Sequence, residues 1–245
     1  MGDSWVNIAK QDNATVVFGN CGPVTMRDLS GNGHNATLQG VARPSGSIIQ
    51  SSFINTVNCS SGTGSSATAI DHADFDVTDP WSIELVIRRG LGIPLGNPHI
   101  IVAGTASATN QFRIMQSAAN IWAGIKIGGS EVAVDGPTIA NGEVVHLIYV
   151  YASAAVTIYK NGSVQSSGTP VLPAIADSPS LFIGNTNAGA ANFSNAIGPI
   201  AIYKSIELTA AQALNHANAA LRYDSRASHT GSSRFSNRGL ASGFL

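Results

Sequence analysis

The chain has 245 residues, of which 44% are hydrophobic and 11% are charged, and its formal net charge is −1. The hydrophobic fraction is enough for a core, whereas the charged fraction is far below the roughly 25% usual in soluble proteins. This balance excludes bulk binding to nucleic acid, and a surface with so little charge favours self-association or burial in a larger assembly.

Targeting and redox signals are sparse. No run approaches the roughly 18 apolar residues that a membrane helix needs, and the first residues lack the basic and apolar regions of a secretory signal. We therefore expect no membrane contact. The two cysteines, Cys21 and Cys59, are expected to be free thiols, because two are too few for a disulfide framework and no histidine cluster accompanies them.

From about residue 14 to residue 203 the sequence alternates short runs rich in Val, Ile and Tyr with clusters of Gly, Asn, Ser and Pro. This punctuation is typical of a sandwich or barrel. Strands are predicted at residues 24–28, 36–41, 48–57, 81–89, 99–103, 111–116, 121–127, 131–134, 144–151, 156–160, 180–183 and 197–203. So many short strands do not pack as one flat sheet, so two stacked sheets are expected.

Two strands are the clearest. In residues 81–89 the apolar side chains alternate with others, including Glu84, so one apolar face should point inward. Residues 144–151 are almost continuously apolar, with His146 the only strongly polar member, which predicts a central strand covered on both sides. After residues 156–160, Asn161-Gly162 predicts a hairpin, because a type I′ turn needs positive φ at both central residues.

One helix is predicted near the C-terminus. Thr209 and Gln212 have the capping-box spacing, and apolar residues follow at helical period: Ala213, Leu214, Ala217 and Leu221. The helix should end near Tyr223. The sequence thus predicts an all-β, two-sheet antiparallel jelly-roll sandwich over residues 1–222 with one C-terminal helix, followed by an extended tail over residues 223–245 whose Ser, Gly, Asn and Arg content is typical of disorder.

The order of several motifs resembles the laminin-G-like, or concanavalin A-like lectin/glucanase, family of jelly rolls. The matching segments are residues 28–38, 81–88, 145–149, 158–164, 181–184 and 197–212. The resemblance spans roughly residues 14–222. It implies a glycan-binding module, an adhesion domain or a structural module of phage and cell-surface proteins, and the fold alone does not choose among them. Residues 198–201 lack the acidic residue that helps to hold calcium in many relatives, so no metal is expected there, and Asp28 with Asn32 fits a turn better than a calcium site.

Catalytic chemistry is not expected. Glycosidases of this superfamily pair two carboxylates, yet Glu84 has no acidic neighbour on its strand. The loop acids Asp71, Asp74, Asp76 and Asp79 are expected to be solvated. The six histidines are scattered, which predicts structural roles and no zinc or nucleophile. Trp81 and Trp122 fit core positions, whereas Trp5 is freer to stack on a sugar. We expect no enzyme activity and no cofactor.

The leading hypothesis is a non-enzymatic surface protein of a bacteriophage particle, such as a capsid decoration or tail-associated subunit. Its tail would contact other copies or other virion proteins through an assembly set of basic and aromatic residues, namely Arg226, Arg234, Phe235, Arg238 and Phe244. The first dozen residues would dock on neighbouring subunits as well. The alternative is a carbohydrate-binding, lectin-like adhesion module that uses loops at one edge. The expected location is the virion, or otherwise an extracellular surface.

Overall fold

The computed structural model describes residues 5–21, 25–39, 43–45, 56–58, 66–70, 80–89, 99–103, 112–116, 121–127, 132–153, 155–169, 180–184 and 196–230. Helices α1 (Trp5–Gln11) and α2 (Ala210–Thr230) flank the strands in sequence. The strands are β1 (Val16–Cys21), β2 (Thr25–Asp28), β3 (Ala36–Gln39), β4 (Arg43–Ser45), β5 (Thr56–Asn58), β6 (Ser66–Ile70), β7 (Trp81–Arg88), β8 (His99–Ala103), β9 (Phe112–Gln116), β10 (Ile121–Ile127), β11 (Val132–Thr138), β12 (Val144–Ala152), β13 (Ala155–Lys160), β14 (Ser163–Gly168), β15 (Ser180–Ile183) and β16 (Ala196–Lys204).

Antiparallel pairing connects these strands in the order β11-β10-β9-β8-β15-β6-β3-β2-β1-β16-β7-β12-β13-β14, with β4 and β5 attached beside β16. The path folds back so that its two ends meet. A Cβ added at Gly168 on β14 would lie 2.9 Å from Val134 on β11. The result is two facing layers, the jelly-roll sandwich that the alternating strands predict.

The main core lies between the two layers. It includes Ile83, Leu85 and Ile87 of β7 and, from the facing layer, Ile100 and Ile114. A second cluster packs the two helices against the outer face of the sheet, and it includes Trp5, Ala9, Val17, Val86, Ile148, Tyr203 and Ala213. Strands β7 and β12 are therefore buried on both faces. This confirms the prediction for residues 144–151, and it adds a second buried face to residues 81–89.

Helix α1 was not predicted. Its residues Trp5, Ile8 and Ala9 are buried, and Trp5 and Ala9 belong to the second core cluster. Docking of the first dozen residues on neighbouring subunits stays a prediction. The helix ends where Asn13 takes a left-handed conformation with φ of 59°. Asn is one of the few residues that adopt this geometry readily at a helix C-terminus.

Helix α2 begins as predicted. Thr209 N–H donates to Gln212 Oε1 at 3.0 Å, and Gln212 N–H donates to Thr209 Oγ1 at 3.3 Å, which completes a capping box. The helix continues to Thr230 instead of ending near Tyr223. Its inward stripe also differs from the prediction, because Leu214 is 50% exposed and His216 is fully buried.

The β13–β14 hairpin is confirmed. Asn161 and Gly162 both have positive φ, 53° and 82°, as a type I′ turn requires. The Asn161 side chain accepts a 3.0 Å hydrogen bond from the backbone N–H of His146 on β12, which fixes the turn to the neighbouring strand.

Candidate functional site

The most concentrated group of ionisable side chains in the described part of the chain surrounds Glu84. Glu84 lies in the middle of β7 and points to the outer face of the sheet, beneath the two helices. It is fully buried, as are His146 on β12 and His216 on α2. We call Glu84, His146, His216, Tyr203, Trp5 and Asp12 the carboxylate cluster.

Four donors from four elements converge on the Glu84 carboxylate. Oε1 accepts from the Trp5 indole N–H and from His146 Nε2 at 2.5 Å. Oε2 accepts from the Tyr203 hydroxyl and from His216 Nδ1, both at 2.8 Å. An ionised carboxylate can only accept hydrogen bonds, so each of these groups must donate. A buried charge is tolerated when it is saturated in this way.

His216 joins Glu84 to the N-terminal helix. Its Nδ1 faces Glu84, and its Nε2 lies 2.7 Å from Oδ2 of Asp12, which follows α1. Both ring nitrogens therefore face carboxylates, and only the imidazolium form donates to both. Burial lowers the pKa of His216, but hydrogen bonds and attraction from Glu84 and Asp12 outweigh it and raise the pKa above its ordinary value.

The same charges shift their partners. Burial raises the pKa of Glu84, but attraction and hydrogen bonds from His146 and His216 dominate and hold it far below the ordinary range. Burial and the negative charge of Glu84 raise the pKa of Tyr203 well above 10.0. At neutral pH the cluster therefore contains an ionised Glu84 and a neutral Tyr203.

Local sequence features place each donor. The buried Ser82 on β7 accepts from the Leu208 N–H at 3.0 Å and donates to the Ile206 carbonyl at 2.9 Å, which fixes the segment that leads into α2. His216 then falls one helical turn after the capping box, in the stripe that contains Ala213 and Ala217. The helix start therefore sets where the imidazole meets the sheet.

The carboxylate cluster is closed to a substrate. Protein donors occupy both oxygens of the buried Glu84, so it has no free acceptor position for acid–base chemistry. Its role is to bind α1, α2, β12 and β16 to β7. The expectation that Trp5 is free to stack on a sugar is wrong, because Trp5 is 3% exposed and donates to Glu84.

The histidines are less scattered than their sequence positions indicate, since His146 and His216 meet at one carboxylate. Two signals in the sequence pointed that way. His146 interrupts a strand that is otherwise apolar, and His216 lies in the apolar stripe of a helix. Each marks a polar group that must be buried with a partner.

Asp28 forms a closed turn. Its Oδ1 accepts from the N–H groups of Val17 and Ser30 at 3.0 and 2.9 Å, and its Oδ2 accepts from the Ser30 hydroxyl and the His34 N–H at 2.8 and 3.0 Å. Burial raises the pKa of Asp28, but these bonds outweigh it and lower the pKa. Asn32 donates to the Thr15 carbonyl at 2.8 Å, so its amide also serves the turn.

A second polar region lies at the end of the sandwich where β7 stops and β12 starts. Arg89 follows β7 and donates from Nη1 to the carbonyl of Ile139. Glu143 forms a 2.8 Å ion pair with Lys160, which lowers the pKa of Glu143 although burial alone would raise it. Lys160 also donates to the Thr138 carbonyl at 2.9 Å.

The predicted assembly set lies almost wholly beyond the described residues. Arg226 falls within the last turns of α2, and its side chain is not among those described. Arg234, Phe235, Arg238 and Phe244 lie outside the described residues, as do the loop acids Asp71, Asp74, Asp76 and Asp79. Trp81, predicted to be a core residue, is 1% exposed. Within the described ranges no three His, Cys, Asp or Glu side chains are grouped to hold a metal, and no helix is long and apolar enough to cross a membrane.

A two-layer antiparallel sandwich with this strand order is a lectin-like jelly roll. The model of the concanavalin A-like lectin/glucanases superfamily, in its laminin-G form, matches residues 61–213. The chain therefore belongs to this superfamily, as the order of its sequence motifs indicated. A search of curated proteins found no significant match.

Solved structures share the fold. Domain 4 of an extracellular arabinanase from Geobacillus stearothermophilus, in complex with arabinotriose, has a TM-score of 0.64 at 17% identity, over 83% of this chain and 98% of that one. The receptor-binding domain of botulinum neurotoxin type G gives 0.63 at 17%, over 87% and 51%. Trypanosoma rangeli sialidase gives 0.62 at 14%, over 83% and 32%. The chain thus spans about half of the toxin domain and a third of the sialidase, and these identities establish a common fold alone.

Proposed function

We propose that this chain is a carbohydrate-binding module of the lectin-like type, acting at an extracellular surface. The observation that carries the proposal is the correspondence with the arabinanase domain, which is matched over 98% of its length and is described in complex with arabinotriose. A domain of the same architecture, matched over nearly its whole length, is therefore described with a sugar ligand. Superfamily membership supports the same class of ligand.

The chemistry of the described residues favours binding over hydrolysis. A glycosidase needs two carboxylates that reach the same glycosidic bond, separated by roughly 5 to 9.5 Å. Glu84 is enclosed and saturated by four donors, and Glu143 is paired with Lys160. Both are engaged in contacts within the fold, which supports a non-enzymatic role.

The test is a glycan array with purified protein, run with calcium and with a chelator, followed by calorimetric titration of the oligosaccharides that bind. We expect saturable binding to a limited set of glycans. Circular dichroism of the same sample would verify the fold, so that a negative array is meaningful. A folded protein that binds no glycan under either condition would contradict the proposal.

A second candidate is a structural subunit of a bacteriophage particle that assembles through residues 223–245. The charged fraction of 11% favours it, because a weakly charged surface resists association poorly. Light scattering would test it by comparing the full chain with a variant in which Arg234, Phe235, Arg238 and Phe244 are all replaced by Ser. Identical monomeric masses for the two proteins would contradict an assembly role for the tail.

A further inference from the structure

Arg89 occupies an unusual position for a charged side chain. Alternate residues of β7 face the main core, and the series Ile83, Leu85 and Ile87 leads to Arg89. Arg88 is exposed, as a residue on the other face at the end of the strand should be, whereas Arg89 is only 3% exposed. The guanidinium of Arg89 therefore lies between the two layers, at the end of the sandwich.

The guanidinium is only partly satisfied. Nη1 donates to the carbonyl of Ile139, but Nε and Nη2 are buried and have no hydrogen-bond partner among the described residues. Nε–H and Nη2–H lie on the same edge of the planar group and point in the same direction. This edge is the fork that binds the two oxygens of a carboxylate through parallel hydrogen bonds.

No described carboxylate fills the fork. Asp135 and Glu143 are equally near to Ile139 along the chain. Asp135 is exposed, and the Glu143 side chain is paired with Lys160 at 2.8 Å. A buried charge without a counterion destabilises the fold. Such a local violation is expected where a residue is kept for function and not for stability.

A second unsatisfied side chain faces the same end. Thr138, the last residue of β11, precedes Ile139 and pairs with Ile121 at the start of β10. The next residue of β10, Trp122, pairs with Gln116 at the end of β9. Gln116 is two positions from the core residue Ile114, so it points between the layers from the sheet opposite Arg89. It is fully buried, and neither its amide nitrogen nor its oxygen has a partner among the described residues.

We propose that Arg89 and Gln116 form a site for an acidic sugar at this end of the sandwich. The Nε/Nη2 edge of Arg89 binds the sugar carboxylate, and the Gln116 amide, which both donates and accepts, binds a hydroxyl. This inference rests on the proposed carbohydrate-binding function and narrows its ligand to glycans that carry a uronic or sialic acid. The ligand supplies the counterion that none of the described residues gives to Arg89.

The experiment compares Arg89→Met with Arg88→Met, a matched change at the exposed neighbour. Calorimetry measures binding of a uronate oligosaccharide and of its neutral counterpart, and thermal unfolding is recorded without ligand. Loss of a bidentate charged contact is expected to weaken acidic-glycan binding about tenfold or more. Arg88→Met should bind as the parent does. Without ligand, Arg89→Met should keep or raise Tm, because it removes an unpaired buried charge.

Two further variants keep the test decisive. Arg89→Lys retains the charge without the fork and should lose most of the affinity for the acidic glycan, and Gln116→Leu should weaken binding while leaving Tm unchanged or higher. The inference is overturned if Arg89→Met binds the acidic glycan normally, or if it lowers Tm by ten degrees or so, as a structural arginine would. An equal increase in Tm with acetate and with glucuronate would overturn the sugar specificity.

The glycan array distinguishes the Arg89 site from the carbohydrate-binding function on which it rests. Binding of neutral glycans alone would leave the carbohydrate-binding function intact and refute the Arg89 site. Binding of no glycan at all would refute the function itself. Binding of acidic glycans that depends on Arg89 would support both.

Discussion

The substitution Glu84→Gln tests the carboxylate cluster directly. It preserves the volume of the side chain and removes its charge, so packing is nearly unchanged. Of the four donors on Glu84, the two that face the new amide NH₂ lose their acceptor. The His216 imidazolium also loses one of its two counterions and keeps only Asp12. The variant therefore leaves two buried donors without an acceptor and a buried cation with one counterion in place of two.

The expected loss follows from that geometry. Breaking a buried ion pair by neutralising one partner costs about 3–5 kcal/mol, because the remaining charge stays buried. For a chain of this size each kcal/mol lowers Tm by about 2–4 °C, so Tm should fall by roughly 6–20 °C. Both terminal helices contribute donors to Glu84, so their contacts with the sheet should weaken together.

Urea unfolding followed by far-ultraviolet circular dichroism and by tryptophan fluorescence gives the free energy. The matched control is Glu143→Gln, which removes a carboxylate whose side chain is 31% exposed and paired with Lys160. Exposed pairs contribute about 0–1 kcal/mol, so the control should be nearly neutral. If Glu84→Gln also loses less than about 1 kcal/mol, the argument that the cluster stabilises the fold is refuted.

Three further outcomes are expected. The pKa of His216 is raised in the folded state, so its protonation stabilises the fold fully below the unfolded pKa near 6.5. This stabilisation is lost as pH rises through the folded pKa, so urea midpoints should fall on the alkaline side, and His216→Gln should flatten that fall. Asp28→Ala leaves four donors without an acceptor and should cost about 1–3 kcal/mol in the same unfolding assay, and Asp28→Asn should cost less. Gly162→Ala places a Cβ 2.8 Å from the α2 backbone, so it should destabilise more than Gly142→Ala, which has positive φ but nothing within 4 Å; equal calorimetric Tm values would contradict the clash.

Sequence periodicity predicted the strands well where the pattern was uninterrupted. Residues 99–103 and 121–127 match β8 and β10, because a short apolar run bounded by turn residues has few alternatives to a strand. Strands β4 and β6 were not predicted. β4 contains Pro44, and β6 is built from Ser, Ala and Thr with one Ile, so neither carries the alternation that marks a strand.

The carboxylate cluster could not be predicted from sequence periodicity, for a different reason. Glu84 is 62 positions from His146 and 132 positions from His216 along the chain. Only the pairing of β7 with β12 and the return of α2 across the sheet bring them together. The seven-residue α1 was missed because a helix this short has a weak apolar stripe, and its stability comes from packing Trp5 and Ala9 on the sheet.

The cluster also defines where the folding unit can be cut. The superfamily match covers residues 61–213, yet Trp5 and His216, which donate hydrogen bonds to Glu84, lie on either side of that interval. A fragment trimmed to those limits would retain Glu84 in the middle of its central strand with only His146 and Tyr203 to neutralise and solvate it. The autonomous unit is therefore wider than the homologous segment, and boundaries chosen for expression should include both flanking helices.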